Sequence, residues 1–136
     1  MRFRVLMIDD EETLCEITKC GLEQSGRFEV GFATSGKIGL LMARKGSPDV
    51  ILLDVGMPKM GGIEVLKALK KDYPLSQIPV IMFSGLLDEA TKTECNYQYS
   101  EEYIEKPVNL AQLRSRIEAV LRRVGKLQPL PVAAVS

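Results

Sequence analysis

Apolar runs ending in a polar residue set the rhythm of this chain. Val5-Leu6-Met7-Ile8 runs into Asp9-Asp10, Val50-Ile51-Leu52-Leu53 into Asp54, and Val80-Ile81-Met82-Phe83 into Ser84. Strands this uniformly apolar belong to a parallel sheet covered on both faces. The first strand is predicted over residues 4–9 and leads into a helix over 11–24. That helix carries Leu14, Ile17 and Leu22 as its apolar stripe, Gly21 on the same face, and Glu11-Glu12 at its positive end. Residues 28–33 alternate enough for a second strand, and 36–45 form a helix with Ile38, Leu41 and Met42 inward. Ser47-Pro48 is a turn before the third strand.

The loop Gly56-Met57-Pro58-Lys59-Met60-Gly61-Gly62 opens a third helix with Ile63, Leu66, Leu69 and Tyr73 on one side. Pro74 and Pro79 bracket the passage to the fourth strand. Residues 86–100 are poorly patterned, with Ala90 and Cys95 among the few candidates for burial. A short fifth strand, 102–105, precedes a helix capped by Asn109 and lined by Leu110, Leu113, Ile117, Val120, Leu121 and Val124. From Gly125 onward the chain reads as a loose tail. Five βα units with right-handed crossovers give an α/β fold: a doubly wound five-stranded parallel sheet, order 2-1-3-4-5, with helices on both faces.

Composition narrows the function classes. A chain of 136 residues is one domain with a real core. Its 18 basic and 18 acidic residues cancel, so charge gives no reason to expect nucleic acid or an anionic membrane as partner. No apolar stretch reaches transmembrane length and the start of the chain reads as strand, so a cytoplasmic location is expected. Cys15, Cys20 and Cys95 lack metal-like spacing and read as reduced thiols. The absence of histidine excludes Ser-His-Asp and Cys-His machinery within the chain, so a histidine in the chemistry comes from a partner.

In a parallel α/β sheet the carboxyl ends of the strands share one edge, and ligands bind there. Asp9, Asp10, Asp54, Ser84 and Lys106 would meet on it. Two carboxylates about 4 Å apart at an effective dielectric near 20 repel by roughly 4 kcal/mol. One is then protonated, or a cation neutralises the cluster. Oxygen ligands without histidine point to Mg²⁺. Lys106 would supply a second positive charge to a phosphoryl group, and Ser84 a hydrogen bond.

These residues resemble the receiver domains of two-component response regulators, the CheY-like family. The resemblance covers about residues 4–124 and rests on five motifs in order: Asp9-Asp10, the run from Asp54 to Gly62, Ser84-Gly85, Tyr103-Ile104-Glu105, and Lys106-Pro107. It implies a phosphorylation-activated switch with 1–124 as the receiver and 125–136 as a tail or the start of a linker. Asp54 would take a phosphoryl group from a histidine of a sensor histidine kinase or histidine phosphotransfer protein. Asp10, Asp54 and the carbonyl of Gly56 would bind Mg²⁺ directly, and Asp9 mainly through water. Lys106 would pair with Asp54 and then with its phosphoryl group. Ser84 would move toward the phosphate and Tyr103 would turn inward. The Lys106-Pro107 bond is usually cis in the family, which an X-Pro bond tolerates. Further implied partners are a downstream protein target or output domain and a phosphorylation-dependent homodimer. Such a domain catalyses only its own phosphorylation and dephosphorylation.

Two positions depart from the family pattern. Gln98-Tyr99-Ser100 stands where a Gly-Ala pair is usual, which puts the fourth helix of the family fold in question. Gly56 stands where many relatives carry a larger side chain, which bears on the rate of phosphate loss. Gly31 to Lys37 resembles the start of a P-loop, but Ile38 occupies the position that needs Ser or Thr. An aspartyl-phosphate phosphatase of haloacid dehalogenase type needs a second Asp where Gly56 stands. A flavodoxin-type module needs a Ser, Thr and Gly loop where Asp9-Asp10-Glu11-Glu12 would repel phosphate. The chain is either a stand-alone receiver or the receiver of a longer regulator joined beyond Val124.

Overall fold

The structure, a computed structural model, describes residues 2–85, 102–106 and 109–129. Five strands form one parallel sheet: β1 (Phe3–Ile8), β2 (Phe28–Ala33), β3 (Val50–Leu53), β4 (Val80–Ser84) and β5 (Glu102–Glu105). Their order is β2-β1-β3-β4-β5. Helices α1 (Glu12–Glu23), α2 (Gly36–Gly46), α3 (Gly62–Lys71) and α4 (Leu110–Arg123) are connected through it, with a 3₁₀ turn at Leu75–Gln77 before β4. Observed ends fall within one residue of those read from the pattern, except that α3 stops at Lys71, two residues short of Tyr73, which the pattern places on it. The expectations for residues 86–100 and for the Lys106-Pro107 bond lie outside the described residues.

Each central strand sends alternate side chains to opposite faces, and both faces are covered. Val5 and Met7, Val50 and Leu52, Ile81 and Phe83 pack with Cys15 and Leu22 of α1 and with Leu113, Ile117 and Leu121 of α4. Leu6 and Ile8, Ile51 and Leu53, Val80 and Met82 pack with Leu40 and Ala43 of α2 and with Val65, Leu66 and Leu69 of α3. Ser35 and Asn109 cap α2 and α4, accepting hydrogen bonds from the amides of Ile38 (3.3 Å) and Gln112 (2.7 Å).

Helix rotation is where the pattern misleads. It turns Ile17, Ile38, Leu41 and Tyr73 inward, and all four are exposed, at 57%, 49%, 44% and 76%. In α1 the buried positions are Cys15, Thr18 and Leu22; in α2 they are Gly36, Gly39, Leu40 and Ala43. The smallest side chains set the packing faces because they let the helix backbone approach the sheet. A Cβ on Gly39 would meet the Ile8 side chain at 2.5 Å. Leu110 and Val124, at the two ends of α4, are also partly exposed.

The segment after α4 is not loose where it is described. Gly125 takes φ +82°, the left-handed conformation that ends a helix. The amides of Lys126 and Leu127 then return to the Leu121 carbonyl at 2.8 and 3.1 Å, and Leu127 packs on the α1/α4 side of the core.

One close approach positions the site. A Cβ on Gly62, at the start of α3, would run into the Asp54 carbonyl oxygen and the Val55 backbone. Backbone cannot rotate away as a side-chain tip can. Gly62→Ala is therefore expected to lower unfolding free energy by about 1–3 kcal/mol in urea denaturation.

Candidate phosphoryl and metal site

The carboxyl edge of the sheet carries the polar residues that end the apolar runs. Three residues at this edge extend the parallel ladder by one hydrogen bond each. The Asp9 amide donates to the Ala33 carbonyl (3.0 Å), the Asp54 amide to that of Ile8 (2.9 Å), and the Lys106 amide to that of Ser84 (2.8 Å). The chain is thus held in strand geometry up to the side chains that face one another. Asp9, Asp54 and Ser84 are buried, Lys106 is half-buried and Asp10 is exposed.

The Lys106 ammonium lies 2.6 Å from Asp9 Oδ2, 3.4 Å from Glu11 Oε1 and 3.9 Å from Asp54 Oδ1. It also sits 5.3 Å from the centre of the Phe83 ring, a cation–π distance. The family resemblance pairs Lys106 with Asp54; its shortest bond is instead to Asp9, with Asp54 as the longer partner. Glu11 and Phe83 join the site although the motif pattern does not include them. Both are local consequences of elements already read, because Glu11 is the cap residue just before α1, directly after Asp9-Asp10, and Phe83 precedes Ser84.

Asp9 is fully engaged. Its Oδ1 accepts from the Glu11 amide at 2.9 Å while Oδ2 accepts from Lys106. The Cys15 thiol donates to the Asp9 carbonyl oxygen at 3.4 Å, and burial together with Asp9 raises its pKa to about 12, so it stays a neutral packing thiol. Asp54 Oδ1 accepts from the Gly56 amide at 3.3 Å, and Ser84 is buried at the end of the neighbouring strand β4. Gly56 thus meets the site through its N–H. Asp10 makes no ion pair among the described residues.

Burial, and then the charge of Asp9, push the Asp54 carboxyl above the ordinary carboxylate range; Lys106, the Gly56 amide and Ser84 only partly oppose this. For Lys106, burial pulls downward, but the bond to Asp9 and the charges of Asp54, Asp9 and Glu11 outweigh it and hold the ammonium above its usual value. The ammonium remains charged at neutral pH.

Asp9, Asp10 and Asp54 can each offer an oxygen, all within 4.8 Å of one another, and this is the one such acidic group among the described residues. Three carboxylates against one ammonium leave excess negative charge, and hard oxygen donors suit Mg²⁺ or a similar ion. The donor set fits. Tyr103 is half-buried and packs against the α2/α3 side of the core.

Comparison with known proteins identifies the family and the fold. The family model of the response regulator receiver domain matches residues 5–118. The chain is 36% identical over 123 residues to a probable transcriptional regulator, ycf27, of Guillardia theta, covering 90% of the chain and 47% of that protein. It is 33% identical over 123 residues to the alkaline phosphatase synthesis transcriptional regulatory protein PhoP of Bacillus subtilis, covering 90% and 50%. The chain therefore spans about half the length of these curated relatives. Among solved structures, the CheY-like receiver domain protein of Methanospirillum hungatei superposes with a TM-score of 0.86 at 28% identity, covering 93% of the chain and 98% of that protein. The Vibrio cholerae chemotaxis protein CheY4 gives 0.84 at 29%, covering 89% and 100%. The chain belongs to the response regulator receiver domain family of two-component signalling systems.

Proposed function

We propose that this domain is a phosphorylation-activated switch whose phosphoacceptor is Asp54. The observation that carries this reading is the setting of Asp54: a buried carboxylate with the Lys106 ammonium at 3.9 Å, the Gly56 amide on its Oδ1, Ser84 buried at the end of the neighbouring strand, and Asp9 and Asp10 beside it. A carboxylate oxygen of Asp54 attacks the phosphorus of a phosphohistidine, the P–N bond breaks, and the imidazole leaves. The chain has no histidine, so the donor is a sensor histidine kinase or a histidine phosphotransfer protein. Lys106 neutralises charge on the transferred group, and Ser84 donates a hydrogen bond to its oxygens.

Mg²⁺ would be held by Asp10, Asp54 and the Gly56 carbonyl, with Asp9 acting through water. When bound it supplies neutralising charge for the phosphoryl oxygens. Asp9 keeps Lys106 aimed across the pocket through their 2.6 Å bond, whereas Asp10 has no competing ion-pair partner among the described residues. That division of labour favours Asp10 as the direct ligand.

Residues 1–124 form the receiver unit in this reading, and 125–136 lead toward an output domain or end the chain. The relatives named as transcriptional regulators, of which the chain spans about half, support an output domain. No helix among the described residues is long and apolar enough to cross a membrane, which agrees with a cytoplasmic place of action. Ser84, with Tyr103 turning inward after it, is proposed to carry the change to downstream protein contacts, including a phosphorylation-dependent homodimer.

The test is incubation with acetyl phosphate and Mg²⁺ followed by intact-mass spectrometry. One phosphoryl adduct, dependent on Mg²⁺ and cleaved by hydroxylamine as an acyl phosphate, is expected. No adduct, or one resistant to hydroxylamine, would remove Asp54 chemistry from this domain.

A further inference from the structure

A groove of about 720 Å³ runs between α2 and the β3–α3 loop, and Asp9, Asp10 and Asp54 do not line it. Its apolar lining comes from Leu40 and Leu41 of α2 and from Pro58 and Met60 of the loop. Lys37, Arg44 and Lys59 stand around it, all three exposed, and among the described residues no carboxylate lines it. Arg44 shares its charge with Asp72 at 3.3 Å, whereas Lys37 and Lys59 have no ion-pair partner among the described residues. Leu41 is 44% exposed, and Ile38, one turn earlier on the same helix, is 49% exposed. The whole chain is electrically balanced, so this predominantly cationic border is a local departure from its average.

An exposed apolar strip bordered by one sign of charge is not stabilised by the fold. Leu41 and Ile38 contribute little to the core, and the two lysines repel each other weakly across the groove. Both features become favourable when apolar side chains fill the groove and carboxylates meet the lysines. The volume lies in the range of sites that enclose a few side chains, not a whole domain face. Nucleic acid is disfavoured as the occupant, because the groove is apolar and among the described residues no aromatic side chain lines it for base stacking.

We propose that this groove docks a short amphipathic, acidic segment of a partner protein, with apolar side chains on Leu40, Leu41 and Met60 and carboxylates on Lys37 and Lys59. The position matters for signalling. The same loop that forms one wall begins at Gly56, whose amide holds Asp54 Oδ1, so the groove and the carboxylate site share one short segment of backbone.

The experiment titrates the isotopically labelled full chain with a synthetic helical peptide, leucines at i, i+3, i+4 and i+7 and glutamates elsewhere, observed by amide NMR. A second peptide replaces every Glu with Lys. Shifts confined to residues 34–44 and 58–60, seen with the acidic peptide only, are expected. The double charge reversal Lys37→Glu with Lys59→Glu should weaken binding at least about tenfold, and Leu41→Ser should do so without altering the basic residues. All of these substitutions lie on the surface, and thermal melts check that the variants stay folded. Shifts centred elsewhere, equal binding of both peptides, or unchanged affinity in the charge-reversed variant would overturn the proposal. So would sedimentation showing that two copies of this chain already occlude the groove.

Discussion

The Asp54→Asn protein is expected to gain no phosphoryl group from acetyl phosphate and to be more stable than the parent at neutral pH. Loss of the adduct follows from chemistry, because an amide oxygen is a poor nucleophile. The substitution also leaves Asp9 as the pocket's remaining buried carboxylate, and both Lys106 and the Glu11 amide already hold it. Higher stability follows from electrostatics. Burial, then Asp9, raise the folded-state pKa of Asp54 above 3.8. The sign is that of a raised acid: its contribution to stability is complete below pH 3.8 and is lost as pH rises through the folded pKa. At pH 7 the buried charge therefore works against folding, and the neutral isostere removes that cost while keeping an acceptor for the Gly56 amide. A gain of about 0.5–2 kcal/mol is expected in urea unfolding at pH 7, shrinking toward zero near pH 4. Intact mass and the pH series together check it. A full adduct on the variant would remove Asp54 as acceptor, and a stability gain independent of pH would show that its charge is not the cause.

That arrangement is largely visible in the chain. Apolar runs capped by Asp9, Asp54 and Ser84 place those side chains at one sheet edge, because parallel strands must end together. What the sequence conceals is local and geometric. The packing faces of α1 and α2 turn on Thr18, Gly36 and Gly39, residues with too little apolar surface to register in a hydrophobic pattern. Ile17, Ile38 and Leu41 therefore read as inward and are exposed. The partner of Lys106 is equally hidden. Two adjacent acids at the end of β1 point to different sides of the backbone, and strand alternation alone does not say which meets an ammonium that follows β5. In the structure Asp9 is the buried one and takes Lys106, while Asp10 faces outward. Lys126 and Leu127 folding back onto Leu121 depends on a single left-handed residue, Gly125, in a stretch otherwise without pattern.

The difference between Asp9 and Asp10 leads to the second large effect. Mg²⁺ must recruit oxygens that are free or cheaply freed. Asp10 has no ion-pair partner among the described residues, and Asp54 Oδ1 has a 3.3 Å amide and an ammonium at 3.9 Å. Asp9, by contrast, has both oxygens committed at 2.9 and 2.6 Å. Asp10→Ala should therefore weaken Mg²⁺ binding by about 30-fold or more, since a divalent ion and a carboxylate at about 4 Å attract by ~2 kcal/mol even in bulk water. Lys106→Met should act in the opposite sense. It removes an ammonium competing for the same cluster, and affinity should rise by roughly tenfold, although the ability to bind the phosphoryl group is lost. Affinity in the parent should also increase with pH through a window above the ordinary carboxylate range, because protons and metal compete for Asp54, whose pKa burial and Asp9 have raised. Isothermal titration with MgCl₂ at a series of pH values spanning that window measures all three. Unchanged affinity in Asp10→Ala would mean that the ion, if bound, is held elsewhere. Weaker rather than tighter binding in Lys106→Met would mean that Lys106 organises the carboxylates for the metal instead of opposing it.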